Sequence, residues 1–132
     1  MADVLHVELV AADRLVWSGE ASMIIARTSE GDVGILPNHA PMLSLMVDGV
    51  VDVTTSSNET WIAAVDAGFL SVADNRVSIL AEHALMSHDI DLEKAKADLE
   101  RAHKAREDDG EQAAALQAAW AEARIRAVEE AH

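Results

Sequence analysis

The chain changes composition near residue 87, and this change constrains its fold more than any other feature. Residues 1–86 hold five of the six glycines, both prolines and all four threonines, whereas residues 87–132 hold 13 alanines and all three lysines. Threonine and valine favour strands, while alanine, lysine and glutamate favour helix. The sequence therefore predicts two domains, a β-rich domain over 1–86 and a helical domain over 87–132.

Residues 1–86 contain many short runs in which apolar and polar residues alternate. Leu5, Val7 and Leu9 alternate with polar neighbours, which is the period of two of a half-buried strand. Turn sequences such as SSNE and DN separate the runs, and we expect Gly49 and Gly68 to open strands at positive φ. Strands this short and this frequent predict a β-sandwich of about nine or ten strands.

Residues 87–132 predict an antiparallel hairpin of two helices. Asp91 is a suitable N-cap for the first helix, because its side chain can accept hydrogen bonds from the free N–H groups of the first turn. We expect that helix to end near REDDG, where Gly110 can adopt the left-handed conformation of a turn.

The second helix carries apolar residues on two faces. One stripe includes Leu116 and Trp120, and the other includes Ile125 and Val128, each at alternating spacings of three and four. A hairpin beside a small sandwich has little room to bury both faces. The simpler interpretation is that alanine is filler and only the stripe of Leu116 and Trp120 packs; the alternative is that the helix uses different faces in different states.

The charge and the missing motifs exclude several classes of protein. The net charge of −14 disfavours nucleic acids and anionic bilayers as partners, since binding to either needs clustered Lys and Arg. The chain has no cysteine, no apolar run near the roughly 20 residues of a membrane span and no signal-peptide pattern at its start. It has no H-x-H or H-x-x-x-H pair, phosphate-binding loop or nucleophile elbow. We therefore expect no metal site, no catalytic residue and no direct insertion into lipid.

The segment GDVGILPNHAPM, residues 31–42, contains both prolines and two of the glycines. Proline removes backbone donors, so the segment cannot be a central strand. We expect Ile35 and Leu36 to anchor it to the core, and Asp32, Asn38 and His39 to remain at its surface. It is either a rigid connection between two strands and nothing more, or a rigid loop that also carries contact residues.

Extended to SEGDVGILPNHAPM, this segment resembles the signature loop of the epsilon subunit of F-type ATP synthases. LHVELVAADRLVWSGEA resembles the first two strands of that family, VDAGFLSVADNRVSILAEHA its closing hairpin, and DIDLEKAKADLERA the start of its helical hairpin. Together these segments cover nearly the whole chain in the family's order. The resemblance implies an N-terminal β-sandwich followed by two antiparallel helices.

The resemblance also implies a function. The epsilon subunit is a non-catalytic part of the rotor's central stalk, peripheral at the cytoplasmic face of the bacterial membrane, and it helps to couple proton flow through the c-ring to ATP synthesis. The implied partners are the gamma subunit, the c-ring and, through C-terminal helices that restrain ATP hydrolysis, the alpha and beta subunits. Asp32 and His39 match the family positions at the c-ring. This role requires no cofactor.

The family's nucleotide-binding motif has a partial match in this chain. The residues at the corresponding positions are Asp91, Lys94, Ala95, Arg101 and Arg124. Lys94 and Trp120 stand where the family has arginines, and lysine lacks the planar fork with which arginine holds a phosphate. The resemblance therefore implies regulatory binding of ATP that is weak if it occurs.

An inhibitory role for the second helix would require apolar residues that pack in the catalytic head. The residues available for that packing are Leu116, Trp120, Ile125 and Val128. Two other classes of protein remain open from the sequence. One is a free-standing adaptor whose helices bind a partner helix, and the other is a small ATP sensor.

Overall fold

The computed structural model describes residues 3–108 and 111–131, with side chains throughout except at 105–108 and 111–113. The strands are β1 (Leu5–Ala11), β2 (Arg14–Thr28), β3 (Gly31–Ile35), β4 (Met42–Met46), β5 (Gly49–Thr55), β6 (Thr60–Val65), β7 (Gly68–Ala73), β8 (Arg76–Ala81) and β9 (Ala84–Met86). The helical elements are a 3-10 turn (Ser87–Asp89), α1 (Leu92–Asp108) and α2 (Glu111–Glu130). The predicted fold class, a β-sandwich followed by a two-helix hairpin, is confirmed. Gly110, where we expected the turn between the helices, lies outside the described residues.

One long strand joins the two layers of the sandwich. The first half of β2 pairs with β1 and its second half with β3 and β5, and its register against β5 shifts between Ala21 and Met23. A shift of this kind bends a strand. The strand order is β1-β8-β7-β4-β2-β5-β6-β9, with β1 paired back to β2, so the sheet closes into a flattened barrel.

The core of the sandwich is aliphatic, as the composition predicts. Leu5, Val7 and Leu9 of β1 are buried while His6 and Glu8 are exposed, so the predicted alternation is confirmed. The largest fully buried side chains are Leu5, Ile24, Ile35, Leu70 and Ile79. Because these residues come from five different strands, one shared core holds both layers together.

The expectation of positive φ at Gly49 and Gly68 is wrong. Among the described glycines only Gly31 has a positive φ, of 115°. A Cβ at Gly68 would collide with the backbone carbonyl oxygen of Leu80, so glycine is needed there for the close approach of β7 and β8. The left-handed turn positions are taken instead by Asn and Asp, for example Asn58 in SSNE and Asn75 in DN.

The helices form one further layer each, with α2 between the sandwich and α1. Ala123 and Ala127 of α2 pack on Ile62 and Ala64 of β6, and α1 packs against α2. The helices are antiparallel, because α2 begins at Glu111, three residues after the end of α1 at Asp108, and packs against α1. Asp98 of α1 pairs with Arg124 of α2.

This arrangement overturns the expectation that only the stripe of Leu116 and Trp120 packs. Leu116 is 68% exposed, and α2 is buried mainly through its alanines. Arg124 contacts α1. The buried residues that precede it at helical spacing, on the same face of α2, are Ala114, Ala118 and Ala121. Both apolar faces of α2 are therefore used in a single state, one against β6 and the other against α1. Alanine makes this possible because its small side chain lets α2 lie close to both neighbours.

Candidate functional site

An apolar row crosses the outer face of the layer formed by β4, β7, β8 and β1. Direct cross-strand pairs join Leu45 to Phe69, Phe69 to Leu80, Leu80 to Val10 and Val10 to Leu15. Four of these five side chains are about half exposed or more. Residues directly opposite one another in a sheet lie on the same face, so the row is continuous.

The apolar row faces away from the sandwich core. Leu70 and Ile79, the chain neighbours of Phe69 and Leu80, are fully buried, and side chains alternate between the two faces of a strand. α2 covers β5 and β6 in the other layer, where Val50 and Ile62 pack against it. One outer face of the sandwich is thus covered by helix, while the other presents apolar side chains to solvent.

The segment 31–42 is in part a strand. Gly31–Ile35 forms β3 on β2, and exposed Asp32 stands opposite Arg27. Ile35 is buried as expected, but the expectation that Leu36 anchors the segment is wrong, since Leu36 is 56% exposed. The two prolines follow β3 rather than interrupt it, which is why a strand can form here.

The remainder of this segment is held by hydrogen bonds. The backbone N–H of Asn38 donates to Oδ1 of Asn75 at 2.6 Å, and Nδ2 of Asn38 donates to Asp3 at 2.8 Å. Nδ1 of His39 lies 2.7 Å from the carbonyl oxygen of Ala40. His39 is half-buried, and Asp32 lies in β3 on the other side of the Pro37–Asn38 turn. The two predicted c-ring residues therefore lie in one segment that Asn38 ties to Asn75 and Asp3, without a contact between them among the described residues.

Of the five residues of the predicted nucleotide motif, three form other polar contacts within the chain, one is buried and one is exposed. Asp91 is the predicted N-cap, since its Oδ1 accepts a hydrogen bond from the backbone N–H of Lys94 at 3.1 Å. Ala95 is fully buried, and the side chain of Lys94 is exposed. The carboxylate and the lysine of the motif thus mark the start of α1, where the carboxylate stabilises the helix.

Asp98, which the sequence analysis did not single out, binds both arginines of the motif. Its Oδ2 accepts a hydrogen bond from Nη2 of Arg124 at 3.0 Å, and its Oδ1 pairs with Arg101. Arg124 is 8% exposed, donates to the carbonyl oxygen of Trp120 at 3.4 Å and lies 5.4 Å from the centre of the Trp120 ring. The signal for Asp98 is its spacing of three before Arg101, but its pairing with α2 requires the tertiary fold.

The predicted inhibitory-packing residues have different environments in this state. Leu116 is exposed, whereas Trp120, Ile125 and Val128 are half-buried. The ring of Trp120 lies 5.9 Å from that of His83, whose Nδ1 is 2.7 Å from Oδ2 of Asp66. Trp120 therefore connects α2 with the turns at one end of the sandwich.

Two further observations concern metal ions and membranes. Within the described ranges, no group of three or more His, Asp or Glu side chains is arranged to hold a metal ion. In the same ranges, neither helix combines the length and the apolar character needed to cross a membrane. The apolar row is a continuous exposed apolar surface, and such a surface marks a site of interaction.

Comparison with known proteins identifies the family. Residues 4–87 match the family described as ATP synthase, Delta/Epsilon chain, beta-sandwich domain. The ATP synthase epsilon chain of Streptomyces avermitilis is 54% identical over 102 residues, covering 77% of this chain and 82% of that relative. The ATP synthase epsilon chain of Rhodococcus jostii is 48% identical over 128 residues, covering 96% and 98%. The chain belongs to the epsilon chain family of ATP synthase, and its predicted nature as a non-catalytic subunit of that enzyme is confirmed.

Solved structures share the whole fold. A chain of the Euglena gracilis mitochondrial ATP synthase, solved as OSCP/F1/c-ring, matches with a TM-score of 0.77 and 24% identity, over 99% of this chain and 82% of that one. A chain from the central stalk and c-ring of the Tetrahymena thermophila mitochondrial enzyme matches with a TM-score of 0.56 and 17% identity, over 96% and 95%. At these identities the matches establish the fold, including both helices.

Proposed function

We propose that the chain is a rotor subunit of the central stalk that couples proton flow through the c-ring to ATP synthesis. Its sandwich contacts the gamma subunit and the c-ring, as a peripheral component at the cytoplasmic face of the bacterial cell membrane. Membership of the epsilon chain family supports a place in ATP synthase. The description of the Tetrahymena neighbour as central stalk and c-ring supports the position within it.

The apolar row is the observation that supports a contact between the sandwich and gamma. A continuous exposed apolar surface marks a protein interaction site in a soluble protein. The row includes an aromatic residue, Phe69, between Leu45 and Leu80, and aromatic residues are enriched at the energetic centre of interfaces. α2 lies on the other layer, so gamma can cover the row while the helices stay docked.

A charge in the centre of the row tests this assignment. We expect Phe69→Asp to weaken binding of the full chain to gamma at least about tenfold, because burying a large apolar side chain contributes roughly 1.5–3 kcal/mol. Co-purification with gamma and titration of the two proteins measure the effect. Leu36→Asp is the matched control, since Leu36 is similarly exposed but lies outside the row. Equal binding by Phe69→Asp and the parent chain would remove the row from the interface.

Contact with the c-ring is assigned to Asp32 and His39. The support is a segment held by the hydrogen bonds of Asn38, with an exposed carboxylate in β3. We expect Asp32→Arg to reduce proton-driven ATP synthesis in membranes while the sandwich remains folded. Unchanged synthesis with a folded variant would contradict the assignment.

The helices restrain ATP hydrolysis through the alpha and beta subunits. In the described state α2 is docked on β5 and β6, so this contact requires its release from the sandwich. Leu116, Trp120, Ile125 and Val128 would then pack in the catalytic head. We expect truncation after Asp109 to raise hydrolysis by the assembled enzyme only a fewfold; no change would show that α2 does not restrain it.

ATP binds weakly if at all, and no cofactor is needed. Both arginines of the motif already pair with Asp98, and the Asp91 carboxylate caps α1. A triphosphate would have to compete with Asp98 for those arginines. Calorimetry on the full chain measures the affinity, and micromolar binding that is lost in Asp91→Ala would overturn this proposal.

A further inference from the structure

The last turn of α2 brings a carboxyl group against a carboxyl group of strand β5. Ala127 packs on β6, and Glu130 follows it by three residues, which keeps both on the same face of the helix. Asp52 is paired directly with Ile62, which belongs to the same helix contact. Asp52 and Glu130 therefore face each other across the interface between β5 and the last turn of α2.

Few cationic groups compensate this pair. The Oδ1 atom of Asp52 is buried and has no hydrogen-bond partner among the described residues. Burial raises the pKa of both Asp52 and Glu130 above that of a solvated carboxyl. The negative charge of Asp52 raises the pKa of Glu130 further, whereas hydrogen bonding to Glu130 opposes the rise at Asp52, and the nearby Asp32 of β3 raises the pKa of both. Among the described residues, the cation that opposes the rise in the pKa of Glu130 is Arg126 of α2, whose Nε is 3.5 Å from Oε1 of Glu130.

Two further charged or titratable groups lie on the neighbouring elements. Arg27 of β2 stands opposite Asp32 in the strand pair and is exposed. His88 of the 3-10 turn lines the groove beside Glu130 and is 3.5 Å from the Asp89 carboxylate. Neither group forms a salt bridge with Asp52 or Glu130 among the described residues, so Arg126 is the one cation there that pairs with either carboxyl.

Two ionised carboxylates cannot form a hydrogen bond with each other, because neither has a proton to donate. One proton changes this, since a protonated carboxyl donates to its ionised neighbour and the negative charge of the pair is halved. Such a pair titrates as a unit. A hydrogen bond between Asp52 and Glu130, and with it the attachment of the last turn of α2, therefore depends on the binding of one proton.

We propose that the last turn of α2 is held on strand β5 by a proton shared between Asp52 and Glu130, so that the helix is docked most firmly in acid and is released as this proton is lost. The docked state binds the proton more tightly than the undocked state, in which both groups are solvated. Docking is therefore strongest below the ordinary pKa of a carboxyl and weakens as the pH rises through the raised pKa of the pair. For one proton the docking equilibrium constant falls by up to about tenfold per pH unit within that window.

The attachment can be measured on the full chain as a distance. The protein contains no cysteine, so spin labels can be placed at Ser56→Cys and Ala131→Cys, both exposed, on the turn before β6 and at the end of α2. Pulsed electron resonance from about pH 4 to about pH 8 covers the range above the ordinary carboxyl pKa. We expect the docked fraction to fall as the pH rises.

Glu130→Gln is the decisive variant, because its amide donates to Asp52 without a titrating proton. We expect it to stay docked and to lose the pH dependence, and Asp52→Asn to do the same through an amide that donates to Glu130. Glu129→Gln is the matched control, since it removes an exposed charge from the same turn and should keep the dependence of the parent chain. A distance that does not change with pH in the parent chain, or a dependence that survives in Glu130→Gln, overturns the proposal.

Discussion

The sandwich core and the interface between α2 and the sandwich are both well buried, but they are built from side chains of different size. The core is filled by leucine, isoleucine and valine, including Leu70 and Ile79 at 0% exposure. The interface is formed mainly by Ala123 and Ala127 against Ile62 and Ala64. Each buried CH₂ contributes about 0.8 kcal/mol, so an alanine contact stabilises less than an aliphatic one of equal burial.

The difference indicates that the two regions have different roles. A sandwich with one shared aliphatic core cannot lose a strand without exposing that core. The helices, in contrast, can leave the sandwich while exposing mainly alanine on α2 and, on the strands, Val50, Ile62 and Ala64. Their position then depends more on polar pairs, such as Asp98 with Arg124 and Asp52 with Glu130, which define an orientation rather than supply a large apolar energy.

The largest effect is expected in the sandwich core. Leu70→Ala should lower the free energy of unfolding by about 2–5 kcal/mol, because it removes a buried side chain and leaves a cavity. Leu43→Ala on the neighbouring strand is the control; Leu43 is exposed, and its truncation should change the free energy by less than about 0.5 kcal/mol. Urea unfolding of both variants measures the difference. Similar values for the two variants would contradict the description of the core.

An intermediate effect, confined to the helices, is expected at the polar pair between them. Asp98→Ala leaves the nearly buried Arg124 guanidinium without its carboxylate, which should destabilise the packing of α1 on α2 by about 1–3 kcal/mol. Hydrogen exchange should then rise in both helices and remain slow in the strands. Arg101→Ala serves as control, because Arg101 is exposed and its loss leaves the pair intact. Equal acceleration in strands and helices would show that the two regions unfold together.

The strands were largely predictable from the sequence, because side chains on a strand alternate between core and solvent regardless of what packs above. The alternation of Leu5, Val7 and Leu9 is such a local pattern. Gly68 was placed correctly at the start of a strand but for the wrong reason, since its role depends on the distance to β8, which no local pattern contains.

The helix layer was less predictable for a related reason. Alanine has high helix propensity on any face, so its presence does not distinguish a buried face from an exposed one. Leu116 appeared to be a packing residue and is exposed, whereas Ala121 appeared to be filler and is fully buried. The apolar row was missed because Leu45, Phe69 and Leu80 come together only through the strand order.

The smallest effect on folding is expected at Leu116. A variant at this position distinguishes the docked state of α2, in which Leu116 is exposed, from the proposed inhibitory state, in which Leu116 is packed. Leu116→Ala should change the free energy of unfolding by less than about 0.5 kcal/mol, since the side chain is already exposed. In the assembled enzyme the same change should raise ATP hydrolysis measurably, because a leucine that packs in the catalytic head contributes roughly 1.5–3 kcal/mol there. The rise should not exceed the fewfold increase expected for truncation after Asp109. Gln117→Ala, one residue further along and also exposed, should alter neither quantity. Loss of stability in Leu116→Ala would show that Leu116 supports the docked state, and unchanged hydrolysis would remove it from the inhibitory contact.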